Sequence, residues 1–438
     1  MASTYLSRTP SSNGSETKGT FSAWVKKTGL GDYYKMYTSY QASNEFLDIQ
    51  FNNADQLAVT ILIGGSTFLD LRTTRLFRDP SAWYHIVVVI DSTDSTQADR
   101  CKIYVNGERI TDFATNTNNV SSSGTNMRIN STSQNVYIGS WHNADYFDGC
   151  MSHVHWVDGT AYQASTFGST DATSGIWIPT TAPSVTYGTN GFFLKFENAG
   201  NLDLDSSGNN LSFTTSGALT QSVDTPSNNY ATFNPLLTSG SGQVSFERAN
   251  TRGGTGNGIT YLTMMPTAGK WFCEFHIQTA GAGQDNGVGF WSVPEAQTIA
   301  FYSSGFKGIV WKYAGNVYVN STNNAFSSDT FSSGDIISIA MDMDNSTATF
   351  YKNGSVATNL NGYSFPFTER EAITVGITDG ASASAEDGIF DLNAGQNPTF
   401  GGRKTAGTNA DANGHGLFSM AVPSGYYTLN TKNLKEFG

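Results

Sequence analysis

The stretch Gly334-Asp-Ile-Ile-Ser-Ile-Ala-Met-Asp-Met-Asp-Asn-Ser-Thr-Ala-Thr-Phe-Tyr-Lys-Asn-Gly354 reads as a strand, a polar turn and a returning strand. Ile337, Ile339 and Met341 alternate with Ser338, Ala340 and Asp342, so one face is apolar at the period of two that an extended chain imposes. Asp344-Asn345-Ser346 interrupts the pattern, and Thr347, Thr349 and Tyr351 then alternate with Ala348 and Phe350. Blocks of this kind recur along the chain, short and separated by Gly, Asn, Asp and Ser.

Working outward, the 438 residues suffice for two domains with ordinary cores. Charged residues make up 14%, against roughly 25% in a typical soluble protein. Neutral hydroxyl and amide groups must therefore cover much of the surface, which suits glycan contact or subunit packing. A net charge of −12 works against nucleic acid as a partner, because phosphate binding draws its affinity from clustered Lys and Arg. No segment approaches the ~20 apolar residues of a membrane span, and Ile86-Val-Val-Val-Ile90 reads as a buried strand. The opening Met1-Ala-Ser-Thr-Tyr-Leu-Ser-Arg8 lacks the basic and apolar regions of a signal peptide, so a cytosolic product is expected. Cys101, Cys150 and Cys273 are too scattered for a disulfide framework and read as buried thiols.

In the first half, Phe21-Ser-Ala-Trp-Val-Lys26, Trp83-Tyr-His-Ile-Val-Val-Val-Ile-Asp91, Ile103-Tyr-Val-Asn-Gly107, Val136-Tyr-Ile-Gly139 and Phe147–Gly159 are strand-like and end in turns. Asn106-Gly107 and Asp158-Gly159 supply the positive φ that tight turns need. Gln221-Ser-Val-Asp-Thr-Pro-Ser-Asn-Asn-Tyr230 is polar, and Pro226 holds Thr225 extended. The expected fold class is all-β, with two β-sandwich domains: residues 1–220, a linker at 221–229, and residues 230–438.

Three resemblances rest on these words. The hairpin, with Gly269-Lys-Trp-Phe-Cys-Glu-Phe275, Gly287-Val-Gly-Phe-Trp291, Phe365-Pro-Phe367, Val375-Gly-Ile377 and Phe390-Asp-Leu-Asn393, resembles the SPRY domain over roughly residues 230–438. The first-half segments resemble the laminin-G-like, concanavalin-type jelly roll, most clearly in Trp83–Gly107 and Phe147–Gly159. The order of the two, with Tyr5-Leu-Ser-Arg-Thr-Pro10, Val157–Gly168, Asp224–Pro235 and Pro423–Leu434, resembles proteins of tailed, especially marine, bacteriophages. That likeness implies a virion structural protein, a tail fibre or a head or tail appendage, made in the bacterial host cytoplasm. Its implied partners are other virion proteins, further copies of the chain and a host-surface polysaccharide, with no membrane insertion. The rival readings are a purely architectural decoration or tail-assembly protein, a glycan-processing enzyme and a cellular adhesin.

No catalytic residue is assigned. Concanavalin-type glucanases use a Glu-x-Asp-x-x-Glu strand, because retaining hydrolysis needs carboxyls about 5 Å apart. That pattern is missing, and Glu386-Asp-Gly-Ile-Phe-Asp391 has the wrong order and spacing. Gly-x-Ser-x-Gly, His-Glu-x-x-His and phosphate-loop motifs are absent too, and Arg252-Gly-Gly-Thr-Gly-Asn-Gly258 reads as a turn. His153 and His155 share a strand face, solvated or packed on a neighbour, opposite Val154 and Trp156. No cofactor is required; the one metal candidate is calcium at Asp203, Asp205 and Ser207, positions one, three and five of a loop with Gly208 at six. Thr214 stands where an EF-hand places its glutamate, and the same residues also serve as hairpin chemistry. Trp24, Trp83 and Trp271 are expected in cores, whereas Tyr33, Tyr34, Tyr37 and Tyr40 crowd beside Lys35. The candidate glycan contacts are Trp141, His142, Asn143 and Tyr146, flat rings beside an amide, which read equally as loop anchors or subunit contacts.

Overall fold

Alternation decides which face of each strand enters a core, and it does so throughout the computed structural model. The structure describes residues 4–120, 124–238, 243–247, 250–254, 258–281, 286–293, 305–320, 322–366, 372–379 and 388–438. Its strands, with a single α-helix, the seven residues Thr431–Phe437, among the described residues, form mainly antiparallel sheets in two compact units, Met1–Gln221 and Ser222–Gly438. No helix among them is long and apolar enough to cross a membrane.

The first unit packs two sheets. One runs in the order Phe113–Asn118, Ser66–Leu76, Gln56–Ile63, Glu45–Phe51, Tyr34–Ala42, Asn135–Ile138, Tyr5–Arg8, Thr214–Ser216. The other runs Phe192–Leu194, Gly149–Asp158, Lys18–Lys27, Tyr84–Asp91, Cys101–Val105, Glu108–Arg109. Between them lie Phe21, Val25, Ile49, Val59, Leu71, Val88, Ile103 and Trp156, all buried. Tyr37, expected among the loop aromatics, is here too, stacked on Trp156 with ring centroids 4.6 Å apart. Tyr34 is likewise core.

The second sheet is buried on both faces, which the sequence reading did not anticipate. Residues 160–190 cross its outer side, where Ala164, Phe167 and Tyr187 pack on Val87, Val89 and Val157. His155 is consequently not solvated: its ring stacks 3.9 Å from Phe193, and its Nδ1 lies 2.9 Å from the Tyr187 hydroxyl. Trp24 is buried on this side rather than between the sheets, stacked on His85. Trp83 is half-buried just ahead of its strand. Trp177 clasps the covering segment down. Its Nε1 donates to His85 Nδ1 at 2.9 Å, and its ring occupies the space that a Cβ on Gly107 or Gly168 would need, 2.6 Å away in each case.

The second unit repeats the plan. The quoted hairpin pairs Ile336–Asp342 with Thr347–Lys352, register Ile339↔Phe350 and Met341↔Ala348, and these four side chains are buried in its core with Trp271, Phe275, Phe290 and Trp311. Its sheets contain Lys270–Thr279 beside Ile336–Asp342 and Ile389–Asn393, and Gly287–Ser292 between Gly308–Lys312 and Ile373–Asp379. Arg252 and Gly253 lie in the strand Asn250–Gly254, not in a turn; residues 255–257, Phe367, Glu386 and Asp387 fall outside the described residues.

From Ser222 onward the expected linker is part of this unit. The Val223 amide donates to the Gln396 carbonyl at 3.1 Å, Thr225 and Asn228 close a tight turn, and Asp224 and Asn228 are buried. Here too one sheet's outer face is covered. Phe418 packs on Phe272, and the carboxylate of Glu274 accepts the Ser419 and Met420 amides at 3.0 and 2.6 Å and the Asn393 side-chain amide at 3.1 Å. Burial pushes the Glu274 carboxyl up to about 7 against the pull of these donors.

Two predictions follow from the covered faces. Gly168→Ala should drive Trp177 from its clasp and cost about 1–3 kcal/mol, as overpacking does, read as a lower melting temperature and a red-shifted tryptophan emission. The second concerns pH. His85 is depressed from 6.5 to about 3 by burial, so its contribution to stability is whole above pH 6.5 and lost as pH falls toward 3. Glu274 is raised from 4.5 to about 7, so its contribution is whole below pH 4.5 and lost as pH rises toward 7. Hydrogen exchange, corrected for intrinsic rates, should therefore show protection of Tyr84–Asp91 falling and of Lys270–Thr279 rising on acidification from pH 6.5 to 4.5.

Candidate functional site

The outer face of the first unit's larger sheet carries a polar row. Ser7, Tyr137, Thr38, Asp48, Thr60 and Asp70 stand opposite one another across six neighbouring strands, because their sequence neighbours are the apolar residues turned to the core. Onto the middle of this row folds the segment from Ser140 to Asp148.

That segment turns sharply. The Trp141 amide donates to the Ala144 carbonyl and the Ala144 amide to the Trp141 carbonyl, both at 2.8 Å, with His142 at φ 53° and Asp145 at φ 49°. Trp141 is half-buried, its ring set edge-on to Phe46 (4.3 Å) and Tyr40 (5.4 Å) and 4.9 Å from the Lys35 ammonium. His142 is exposed, stacked on Tyr40 at 5.0 Å. Asn143, an exposed residue, accepts the Tyr5 hydroxyl on Oδ1 and the Tyr146 hydroxyl on its carbonyl, each at 2.7 Å. Tyr146 stacks on Tyr5 at 6.1 Å. The four residues picked from sequence thus come together, in two roles: Trp141 and Tyr146 anchor the turn, and His142 and Asn143 present it.

Beneath the turn is a group the sequence reading did not single out as part of the site. Lys35 is buried on the outer side of the sheet, with Nζ 2.7 Å from Asp48 Oδ2 and 2.6 Å from Gln50 Oε1. Burial pushes the Asp48 carboxyl up, and Lys35 and Thr38 pull it back. Tyr33 lies over the same ammonium at 5.3 Å. The alternation of Lys35, Thr38 and Tyr40 with core residues was the available signal, obscured by the register shift between Lys35 and Tyr37.

The calcium candidates Asp203, Asp205 and Ser207 are all engaged by protein groups. Asp205 Oδ1 accepts the Phe193 and Ser207 amides, and Oδ2 accepts the Ser207 hydroxyl and the Leu211 amide, at 2.9 to 3.0 Å. Those four donors fill the lone-pair sites of a carboxylate. Asp203 instead accepts the Thr215 hydroxyl at 3.2 Å, and no group of three or more His, Cys, Asp or Glu able to hold a metal occurs among the described residues.

One pair looks catalytic and is not. Ser22 Oγ sits 2.9 Å from His85 Nε2, but His85 Nδ1 accepts the Trp177 N–H, so Nε2 carries the hydrogen and cannot take a proton from the serine. Both residues are fully buried.

Residues 2–166 match a laminin-G family described as the concanavalin A-like lectin/glucanases superfamily. Over these residues the first unit resembles the concanavalin-like lectin domains of that superfamily. No curated protein matches the sequence. Among solved structures, the chain is similar to the SPRY domain of human HERC1 (20% identity, 36% of this chain and 96% of that one, TM-score 0.29). It is also similar to a putative carbohydrate-binding protein from Bacteroides ovatus (18%, 49% and 56%, TM-score 0.28) and to mouse laminin α1 domains LG4-5 (9%, 89% and 85%, TM-score 0.29). At these values the likenesses carry no functional argument.

If Asp205 serves only as a hydrogen-bond hub, millimolar calcium should leave the melting temperature unchanged, and Asp205→Ala should lower it equally with calcium or with a chelator.

Proposed function

We propose that this protein is a glycan-binding structural component of a virion, a tail fibre or a head or tail appendage, that meets host-surface polysaccharide through the outer face of its lectin-like unit. One observation carries the glycan part: a prebuilt turn, anchored by Trp141 and Tyr146, holds an exposed imidazole and an exposed amide above a polar sheet face. Rings supply faces for sugar C–H groups, and His142, Asn143 and Asp145 supply hydrogen-bonding groups at their edge. Rigid placement matters because ordering a loop at the moment of binding would subtract from a weak affinity. The virion assignment is supported by the phage-like word order of the sequence, and it makes further copies of the chain and other virion proteins the partners. Repetition of the chain on a particle would multiply modest single-site affinities.

The architectural reading has its own support, since Trp141 and Tyr146 are spent on holding the turn. One experiment separates the two. The full-length protein, displayed multivalently, should co-sediment with host cells and with their purified surface polysaccharide, and His142→Ala should weaken this by about 1 kcal/mol or more without changing the melting temperature. Full-length protein that ignores cells and polysaccharide, yet joins purified virion parts, discards the glycan reading in favour of architecture.

A further inference from the structure

An ammonium has three hydrogens to donate, and Lys35 places only two. Asp48 and Gln50 take these, and no acceptor among the described residues lies within hydrogen-bond distance of the third. A second carboxylate, Asp145, has its Oδ2 at 3.9 Å, too long for a direct hydrogen bond and in the range where a bridging oxygen is to be looked for. Lys35 is 5% exposed, whereas the Asp145 side chain is 41% exposed, so Asp145 is the solvent-facing member of the pair. Tyr33, itself 39% exposed, and Trp141 stand over the same ammonium at 5.3 and 4.9 Å.

We propose that Lys35 and Asp145, walled by Tyr33 and Trp141, form a subsite for one hydroxyl of a neutral pyranose. The proposal rests on the reading of this face as glycan-binding and names the class of sugar it takes. A hydroxyl is the group that fits, because it accepts from the Lys35 N–H and donates to the Asp145 carboxylate with the same oxygen. A sugar carboxylate has no hydrogen to give Asp145 and meets a local excess of one negative charge, with Asp48 and Asp145 against Lys35 alone. A protonated amino sugar has no lone pair for Lys35 and is repelled by it. The aromatic walls accept the C–H faces of a pyranose ring, so the charges select the substituent and the rings select the ring.

The test uses the full-length chain against immobilised purified host polysaccharide and a panel of linear oligosaccharides of neutral gluco-, manno- and galacto-configured sugars, their uronic acid counterparts and their amino-sugar counterparts. Wild-type protein should prefer neutral chains by about tenfold, the worth of one charge-assisted hydrogen bond. Asp145→Asn, in which asparagine tolerates the positive φ of 49° at this position, should weaken neutral binding and narrow the margin over uronic acids. Tyr33→Ala should weaken neutral binding with the melting temperature unchanged. The proposal is overturned if uronic acids or amino sugars bind as well as neutral chains. It is overturned equally if glycan binding is indifferent to Asp145→Asn and Tyr33→Ala, the outcome when only water bridges the two charges; the glycan reading then stands on its own. Wild-type protein that binds no glycan in the panel and no host polysaccharide overturns both.

Discussion

The buried ammonium of Lys35 is the constraint on which the turn from Ser140 to Asp148 depends. A lysine on the outer side of a sheet ordinarily extends into water; here the chain from Ser140 to Asp148 and the ring of Tyr33 close over it. An ammonium so enclosed must be paired, and Asp48 and Gln50 on the neighbouring strand are placed by register to do it. The Trp141 ring packs beside the pair, flanked by Phe46 and Tyr40. Stripping one partner would leave an uncompensated charge, at a cost of about 3–5 kcal/mol in buried pairs generally. The turn that carries His142 and Asn143 is therefore tied to the sheet below it.

Both units cover the outer face of a sheet that an ordinary sandwich would leave wet. Charged residues are scarce, and strands such as Tyr84–Asp91 and Lys270–Thr279 put His85, Val87 and Val89, or Phe272, Glu274 and His276, on the side away from the main core. Those side chains are too apolar or too specific in their hydrogen bonding to face solvent, so a long segment of chain is laid over each. The larger sheet of the first unit differs. Its outer face carries, beside the buried Asp48, the residues Thr60, Asp70 and Arg72, which tolerate water.

Saturated carboxylates perform the loop-fixing task that a metal performs in other folds. Asp205 gathers four donors, and Asp411 gathers the amides of Asn413, His415 and Thr428 with the Asn433 side chain. An aspartate in a Gly- and Asn-rich loop can satisfy itself with cation or with N–H groups, and the two solutions use nearly the same residues. The Asp203-x-Asp205-x-Ser207-Gly208 spacing could not distinguish them.

The amino-acid sequence by itself determined the strands, the hairpin at Ile336–Lys352 and the sandwich character of the fold, because a period of two is a local property of consecutive residues. It also placed Trp141, His142, Asn143 and Tyr146 in one turn, since they fall within six consecutive residues. Only the tertiary structure decided the rest. That Tyr34 and Tyr37 are core while Tyr33 and Tyr40 face outward depends on a register shift inside one strand. That residues 222–229 are packed and not a tether depends on Gln396, far away in sequence. That Lys35 and Asp145 approach each other, across 110 residues, depends on a sheet pairing Tyr34–Ala42 with Asn135–Ile138. Alternation assigns a residue to a face of its strand, but what lies over that face is set by segments distant in sequence, and periodicity carries no record of them.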